Sequence, residues 1–253
     1  MIAKTELEIR SLREAGALLG EALREVASLV VPGVTTASLD MAAEKFITEA
    51  GAEPAFLNYK PEAAAYPFPA VLCVSINDEV VHGIPREDRK VQEGDLVMLD
   101  LGLSINGYFA DAAITVCAGT CDEKGKKLIE ATQEALREAI KLARPGARMG
   151  DLGACIQAVA HKYGLGVVDE LGGHSLGLVP HEPPFVPNSG KAGSGHILEE
   201  GLVIAIEPIF TEGAGEIELA GDEWTYVTAD GSRSAETEHT VLITKDGAEI
   251  LTL

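Results

Sequence analysis

Val97-Met-Leu-Asp-Leu-Gly-Leu-Ser-Ile-Asn-Gly-Tyr-Phe-Ala-Asp111 holds an Asn106-Gly107 pair between two apolar-rich runs, the strongest short-range signal for a two-residue type I′ hairpin turn. With that turn, Ile105 faces Tyr108, Gly102 lies opposite Asp111 and Asp100 opposite Ala113. Both aspartates then project from one face as diagonal neighbours, roughly 7–8 Å apart at their backbones. A slip of one residue would send them to opposite faces, so the expectation rests on the turn chemistry. Asp100 also follows the run Leu96-Val-Met-Leu99, and an aspartate ending a buried strand needs a partner.

Three further side chains share that predicament. Glu207 ends Leu202-Val-Ile-Ala-Ile206, an apolar strand-like segment, and Pro208 removes the next ladder donor. Glu238 opens the β-branched run Thr240-Val-Leu-Ile243, and His174 sits in Gly172-Gly-His-Ser-Leu-Gly177, whose glycines let backbone and ligand approach closely. Four carboxylates gathered without counter-charge would repel and raise one another's pKa values, whereas two divalent cations cancel them. A set of four carboxylates and one imidazole, with no thiolate, favours Mn²⁺, Fe²⁺ or Co²⁺, with Zn²⁺ admissible, over a structural zinc site. Two ions about 3.5–4 Å apart with a shared water make hydrolysis the natural chemistry.

Taken together with their flanks, these residues resemble the type I methionine aminopeptidases, metal-dependent enzymes that remove the initiator methionine from nascent chains. The resemblance is carried by Cys73-Val-Ser-Ile-Asn77 leading into His82-Gly-Ile-Pro85, by the Asp100 and Asp111 pair, and by Gly173-His174, His181-Glu182, Ile206-Glu207-Pro208 and Glu238-His239-Thr240. It covers essentially the whole chain. It implies an α/β (α+β) pita-bread fold, a pseudo-two-fold pair of α/β halves around a curved antiparallel sheet. It also implies that Asp100 chelates one ion, His174 and Glu207 the other, and that Asp111 and Glu238 bridge them. Glu207 would then move a proton from water to the leaving amine, His181 would donate to the developing oxyanion, and His82 would contact the substrate amide. A monovalent cation held by backbone carbonyls around Asn77, Glu79 and Ser234 belongs to the same implication.

The two halves leave a trace in the sequence. Val31-Pro-Gly33, Leu39 and Gly51 recur as Arg144-Pro-Gly146, Leu152 and Gly164, each displaced by 113 positions, and each block reads helix, Pro-Gly break, helix, terminating glycine. Thr5-Glu-Leu-Glu8 is a capping-box pattern ahead of a helix to about residue 30, and a second helix runs from about Asp122 to Ala143. We expect one catalytic domain over residues 1–253, with halves at about 1–118 and 119–253.

Composition bounds the rest. At 253 residues and 46% apolar content the chain buries a large core. A net charge of −20 argues against nucleic acid as a partner. No apolar run of about 18 residues points to a membrane span or leader, so a cytoplasmic monomer acting on peptide N-termini is expected. Cys73, Cys117, Cys121 and Cys155 form no C-x-x-C pair and read as free thiols. Ser189-Gly-Lys-Ala-Gly-Ser-Gly195 reads as a mobile surface loop. His161 and His196 read as surface residues and His239 as structural.

The pocket for the methionine side chain maps onto Phe68, Cys73 and Trp224, by the same resemblance. There the chain departs from the family: a tyrosine expected ahead of Phe68 falls on Ala65, and an aromatic expected before His181 is Pro180. Tyr59 or Tyr66 stands in reserve. The segment His174–Pro184 also looks like the corresponding loop of X-Pro aminopeptidases and prolidases, which makes an X-Pro peptidase the alternative activity. A catalytically inactive binding module of the same fold is the alternative of another class, and the complete ligand set speaks against it.

Overall fold

Nineteen elements succeed one another in the computed structural model, which describes residues 1–62 and 64–253. They are α1 (Glu6–Ser28), α2 (Thr36–Glu49), β1 (Glu53–Pro54), β2 (Leu72–Ile76), β3 (Glu79–Val81), β4 (Leu96–Ile105), β5 (Tyr108–Cys117), α3 (Glu123–Leu142) and α4 (Met149–Tyr163). There follow β6 (Gly166–Val167), β7 (Gly172–Ser175), β8 (Glu182–Pro187), β9 (Val203–Ile206), β10 (Ile209–Thr211), β11 (Ile217–Leu219), β12 (Tyr226–Thr228), β13 (Ser234–Glu236), β14 (His239–Thr244) and β15 (Gly247–Ile250).

The helices begin where the sequence supplies caps. Thr5 and Glu8 close a capping box on α1, and Asp122 accepts from the Gly125 amide at 2.8 Å to start α3. Each half lays two helices on the outer face of its sheet. Leu19, Val26, Leu39 and Ile47 of α1 and α2 pack on Leu99, Leu101 and Leu103 of β4. Leu128, Leu136, Leu152 and Ile156 of α3 and α4 pack on Ile204, Ile206, Val241 and Ile243 of β9 and β14. The inner faces are left for the site.

The halves are related residue by residue. Gly33 N donates to Val91 O at 2.7 Å and Gly146 N to Leu198 O at 2.9 Å; Gly94 N donates to Ala118 O at 2.8 Å and Gly201 N to Ile243 O at 2.7 Å. In β4 and β5, Met98 faces Thr115 and Leu99 faces Ile114; in β9 and β14, Ala205 faces Thr240 and Ile206 faces His239. Farther along, Gly102 faces Asp111 as Ile209 of β10 faces Glu236 of β13. A shift of 107 positions therefore carries β4 onto β9 and β10, and a shift of 125 carries β5 onto β13 and β14. The seam between halves is reciprocal. Thr115 Oγ1 donates to Glu236 O at 2.7 Å and accepts from Glu236 N at 3.0 Å, while Thr240 Oγ1 donates to Asp111 O at 2.7 Å and accepts from Asp111 N at 2.9 Å.

Two expectations are corrected. Cys117 and Cys121 form a disulfide, because the chain leaving β5 turns back through Gly119 at φ +71 and brings their Cα atoms to 5.8 Å, inside the bridgeable range of about 4.4–6.8 Å. Cys73 and Cys155 are free. The 189–195 segment is exposed but tied to the start of α4: Gly193 N donates to Asp151 Oδ1 at 2.6 Å, Gly150 N to Ser194 O at 3.0 Å, and Arg148 Nη1 to Gly195 O at 2.8 Å. It serves the unpaired groups of a helix N-terminus. None of the helices among the described residues is long and apolar enough to cross a membrane.

Candidate metal centre and substrate pocket

Asn106 at φ 53 and Gly107 at φ 79 make the tight turn between β4 and β5, and the ladder pairs Asp100 with Ala113 and Gly102 with Asp111. Glu207 and Glu238 lie at the breaks between β9 and β10 and between β13 and β14. His174 comes from β7, opposite Phe185 of β8. The five side chains, together with His82 and His181, line one cavity of about 270 Å³.

Their ligand atoms group into triads. Asp100, Asp111 and Glu238 present ligand atoms within 4.8 Å of one another; so do Asp111, His174 and His181, the histidines through ring nitrogens, and Glu207, Glu236 and Glu238. Asp111 and Glu238 each belong to two triads, the arrangement two neighbouring cations require of bridging carboxylates. Asp100 Oδ1, Asp111 Oδ1 and Glu238 Oε1 are buried with no hydrogen-bond partner among the described residues. Such orphaned oxygens are costly unless an ion serves them, and the set suits hard to borderline divalent metals.

Electrostatics agree. Burial and the neighbouring Glu207 push Asp100 up to about 8. Burial and surrounding carboxylates hold Asp111 and Glu238 well above the usual carboxylate range. Burial lowers His174, His82 to about 4, and His181 to about 3, with His174 and His82 adding to the last. All three are neutral imidazoles at pH 7. The contact of His174 Nδ1 with Ser175 O at 3.1 Å assigns the ring proton to Nδ1, so Nε2, 3.7 Å from Asp111 Oδ2, has a free lone pair for an ion. The segment from Ser175 to Glu182 is anchored by the Met1 ammonium, which donates to Ser175 Oγ at 2.6 Å, Leu176 O at 2.8 Å and Glu182.

Beside the carboxylates lies an apolar recess. Phe68 meets Trp224 edge to face at 5.1 Å, and Cys73, opposite Asp100 in the β2–β4 ladder, makes part of the wall. Ala65 is exposed and does not line the recess. The ring of Tyr59 sits 5.0 Å from His181, with Phe56 at 6.4 Å. Tyr66 backs the recess from outside, its hydroxyl on Asp222 O and its carbonyl accepting from Trp224 Nε1 at 3.2 Å. His82, at φ 58, stands 6.0 Å from both Trp224 and Tyr226.

Residues 10–245 match the model of metallopeptidase family M24. A methionine aminopeptidase of Aquifex aeolicus is 46% identical over 250 residues, 98% of this chain and 97% of its own length. The chain belongs to family M24, with the methionine aminopeptidases. The crystal structure of the methionine aminopeptidase from Thermotoga maritima superposes with a TM-score of 0.95 at 42% identity, covering 100% of this chain and 99% of that one. A prolidase from Pyrococcus horikoshii superposes at 0.75 with 25% identity, and only 63% of it is covered. The M24 chain accordingly has the pita-bread fold and is a metal-dependent aminopeptidase.

A further carboxylate, in none of the motifs above, stands beside this M24 cavity. Glu236 is 1% exposed and lies in the triad with Glu207 and Glu238. Burial, with Glu207 next to it, keeps its carboxyl well above the ordinary range. The signal was available, since residues 236 and 238 are two apart on an extended chain and share a face. His161, half a turn from the end of α4, and His196 take no part, and His239 Nδ1 instead contacts Thr252 Oγ1 at 2.9 Å.

Proposed function

We propose that the chain hydrolyses the first peptide bond of peptides and nascent proteins that begin with methionine. The observation that carries this is the junction, in one cavity, of the double carboxylate triads with a recess closed by Phe56, Tyr59, Phe68, Cys73 and Trp224. Such a recess takes an unbranched apolar side chain, and the charge next to it takes the free amine.

Two divalent ions, held by Asp100, Asp111, His174, Glu207 and Glu238, would supply charge that acidifies water and polarises the scissile carbonyl. Glu207 takes the proton of the attacking water and delivers it to the leaving amine. His181, neutral and at the mouth, donates through its ring N–H to the negative charge that develops on the carbonyl oxygen. His82, fixed between Trp224 and Tyr226, positions the amide after the methionine. Mn²⁺, Fe²⁺ and Co²⁺ are the ions this donor set favours, with Zn²⁺ admissible. A monovalent cation is assigned to the carbonyls of Asn77 and Glu79, which both point at Ser234 Oγ, each at 3.1 Å. We place the enzyme in the cytoplasm as a monomer.

Peptides starting Met-Ala, Met-Gly, Leu-Ala and Ala-Pro, assayed with Mn²⁺, Fe²⁺ and Co²⁺, test the reading. Methionine starts should exceed Leu-Ala in kcat/KM by about 10–200-fold, the discrimination an apolar pocket supplies. Faster cleavage of Ala-Pro would make the chain an X-Pro peptidase. Failure to bind or respond to any of the three ions would leave only a binding module.

A further inference from the structure

The pseudo-two-fold relation places acids unevenly in the two halves. In the first, Asp100 faces Ala113, and its diagonal acidic neighbour is Asp111. Carried across the seam, Asp100 becomes Glu207, Ala113 becomes Glu238 and Asp111 becomes Glu236. Within its own half, Glu207 thus has two acidic neighbours where Asp100 has one. Glu238 is accounted for by its place in two ligand triads. Glu236 is not.

Glu236 is also not an accident of the surface. It is 1% exposed, its backbone is pinned by Thr115 on both its N–H and C=O, and its Oε2 is buried with no partner among the described residues. One oxygen of its carboxyl lies within 4.8 Å of an oxygen of Glu207. Glu207 has one more rotatable bond than Asp100, its counterpart, and Pro208 after it cannot continue the ladder. A side chain that must present one oxygen to an ion and another to a water has to be held in one rotamer.

We propose that Glu236 is a positioning residue, the group that holds the Glu207 carboxylate in the orientation needed for metal binding and proton transfer. This rests on the metal-site reading above. Its role is one of bracing: the contact is made to Glu207 from the seam, on the position that Asp111 occupies in the other half.

The test uses the full chain loaded with Co²⁺, read by calorimetric titration and by the visible absorption of the bound ion. Wild type should take two ions with a defined spectrum; if it takes none, the metal-site reading itself fails. Glu236→Ala should keep its fold by circular dichroism but bind one of the two ions about 10–100-fold more weakly, with an altered spectrum. Its kcat should fall more than its KM rises. Glu236→Gln, which keeps a hydrogen-bonding head group of the same length, should restore affinity and spectrum to within about threefold. If Glu236→Ala does not fold, Glu236→Met, of similar volume and no polar head, replaces it. Wild-type titration and spectrum in the Ala or Met variant would overturn the proposal. So would an ion loss in Glu236→Gln as large as in Glu236→Ala, since that would make Glu236 a ligand.

Discussion

Glu207 shows how much chemistry one side chain carries here. It closes an apolar strand, ligates an ion in the proposed site and moves the proton. Glu207→Gln keeps the shape and removes the base, so kcat should fall by about 10²–10⁴, the usual worth of general acid–base catalysis, while the far-ultraviolet spectrum and melting temperature stay close to wild type. Near-normal turnover with both ions bound would remove Glu207 from that role. Tyr59 carries a different lesson: its ring is placed by the path of the chain between Phe56 and Phe68, not by a motif around it. The residue is visible in the sequence; its membership of the recess is not.

Strands and turns hold these residues to fractions of their length. The Asn106-Gly107 turn sets the β4–β5 register, and with it the common face of Asp100 and Asp111. β7 is set by close approach. A Cβ added at Gly173 would stand 2.2 Å from Ala205 O and 3.0 Å from Val186 Cβ, so β7 must part from β9 to admit it. Gly173→Ala should lower stability by about 1–3 kcal/mol, the cost of overpacking a fitted interior, read as a lower urea midpoint at unchanged slope. Because His174 is the next residue, metal affinity should fall as well. An unchanged midpoint would show that β7 yields freely.

Over the whole molecule the cavity's charges set a pH dependence that metal should reverse. Asp100, raised to about 8, and Asp111, Glu236 and Glu238, raised well above the usual range, bind protons more tightly folded than unfolded. Their contribution is full below the unfolded value of about 4; for Asp100 it is lost as pH rises through about 8, and for the other three as pH rises through their own raised values. His82, lowered to about 4, and His181, lowered to about 3, act oppositely. Their contribution is present above about 6.5 and lost as pH falls. Metal-free protein should therefore melt at a lower temperature at pH 9 than at pH 6.5. Protein loaded with Mn²⁺ should show little change over that window, because the ions already hold the carboxylates ionised. Calorimetry of the chelated and loaded forms checks this, and a metal-free transition that does not move would count against the buried acidic cluster.

The chain by itself determined whatever depends on near neighbours: the helix starts at Thr5 and Asp122, the Pro-Gly breaks that repeat between halves, the turn at Asn106-Gly107 and the apolar strands that end in Asp100 and Glu207. These are set by caps, φ preferences and periodicity, all readable within a few residues. Only the tertiary structure decided that Tyr59 stands beside His181 in the recess, that Cys117 reaches Cys121 and that the glycine-rich segment is fastened to α4. Each depends on how distant backbone is brought together across a turn or the seam, and side-chain chemistry carries no record of that distance.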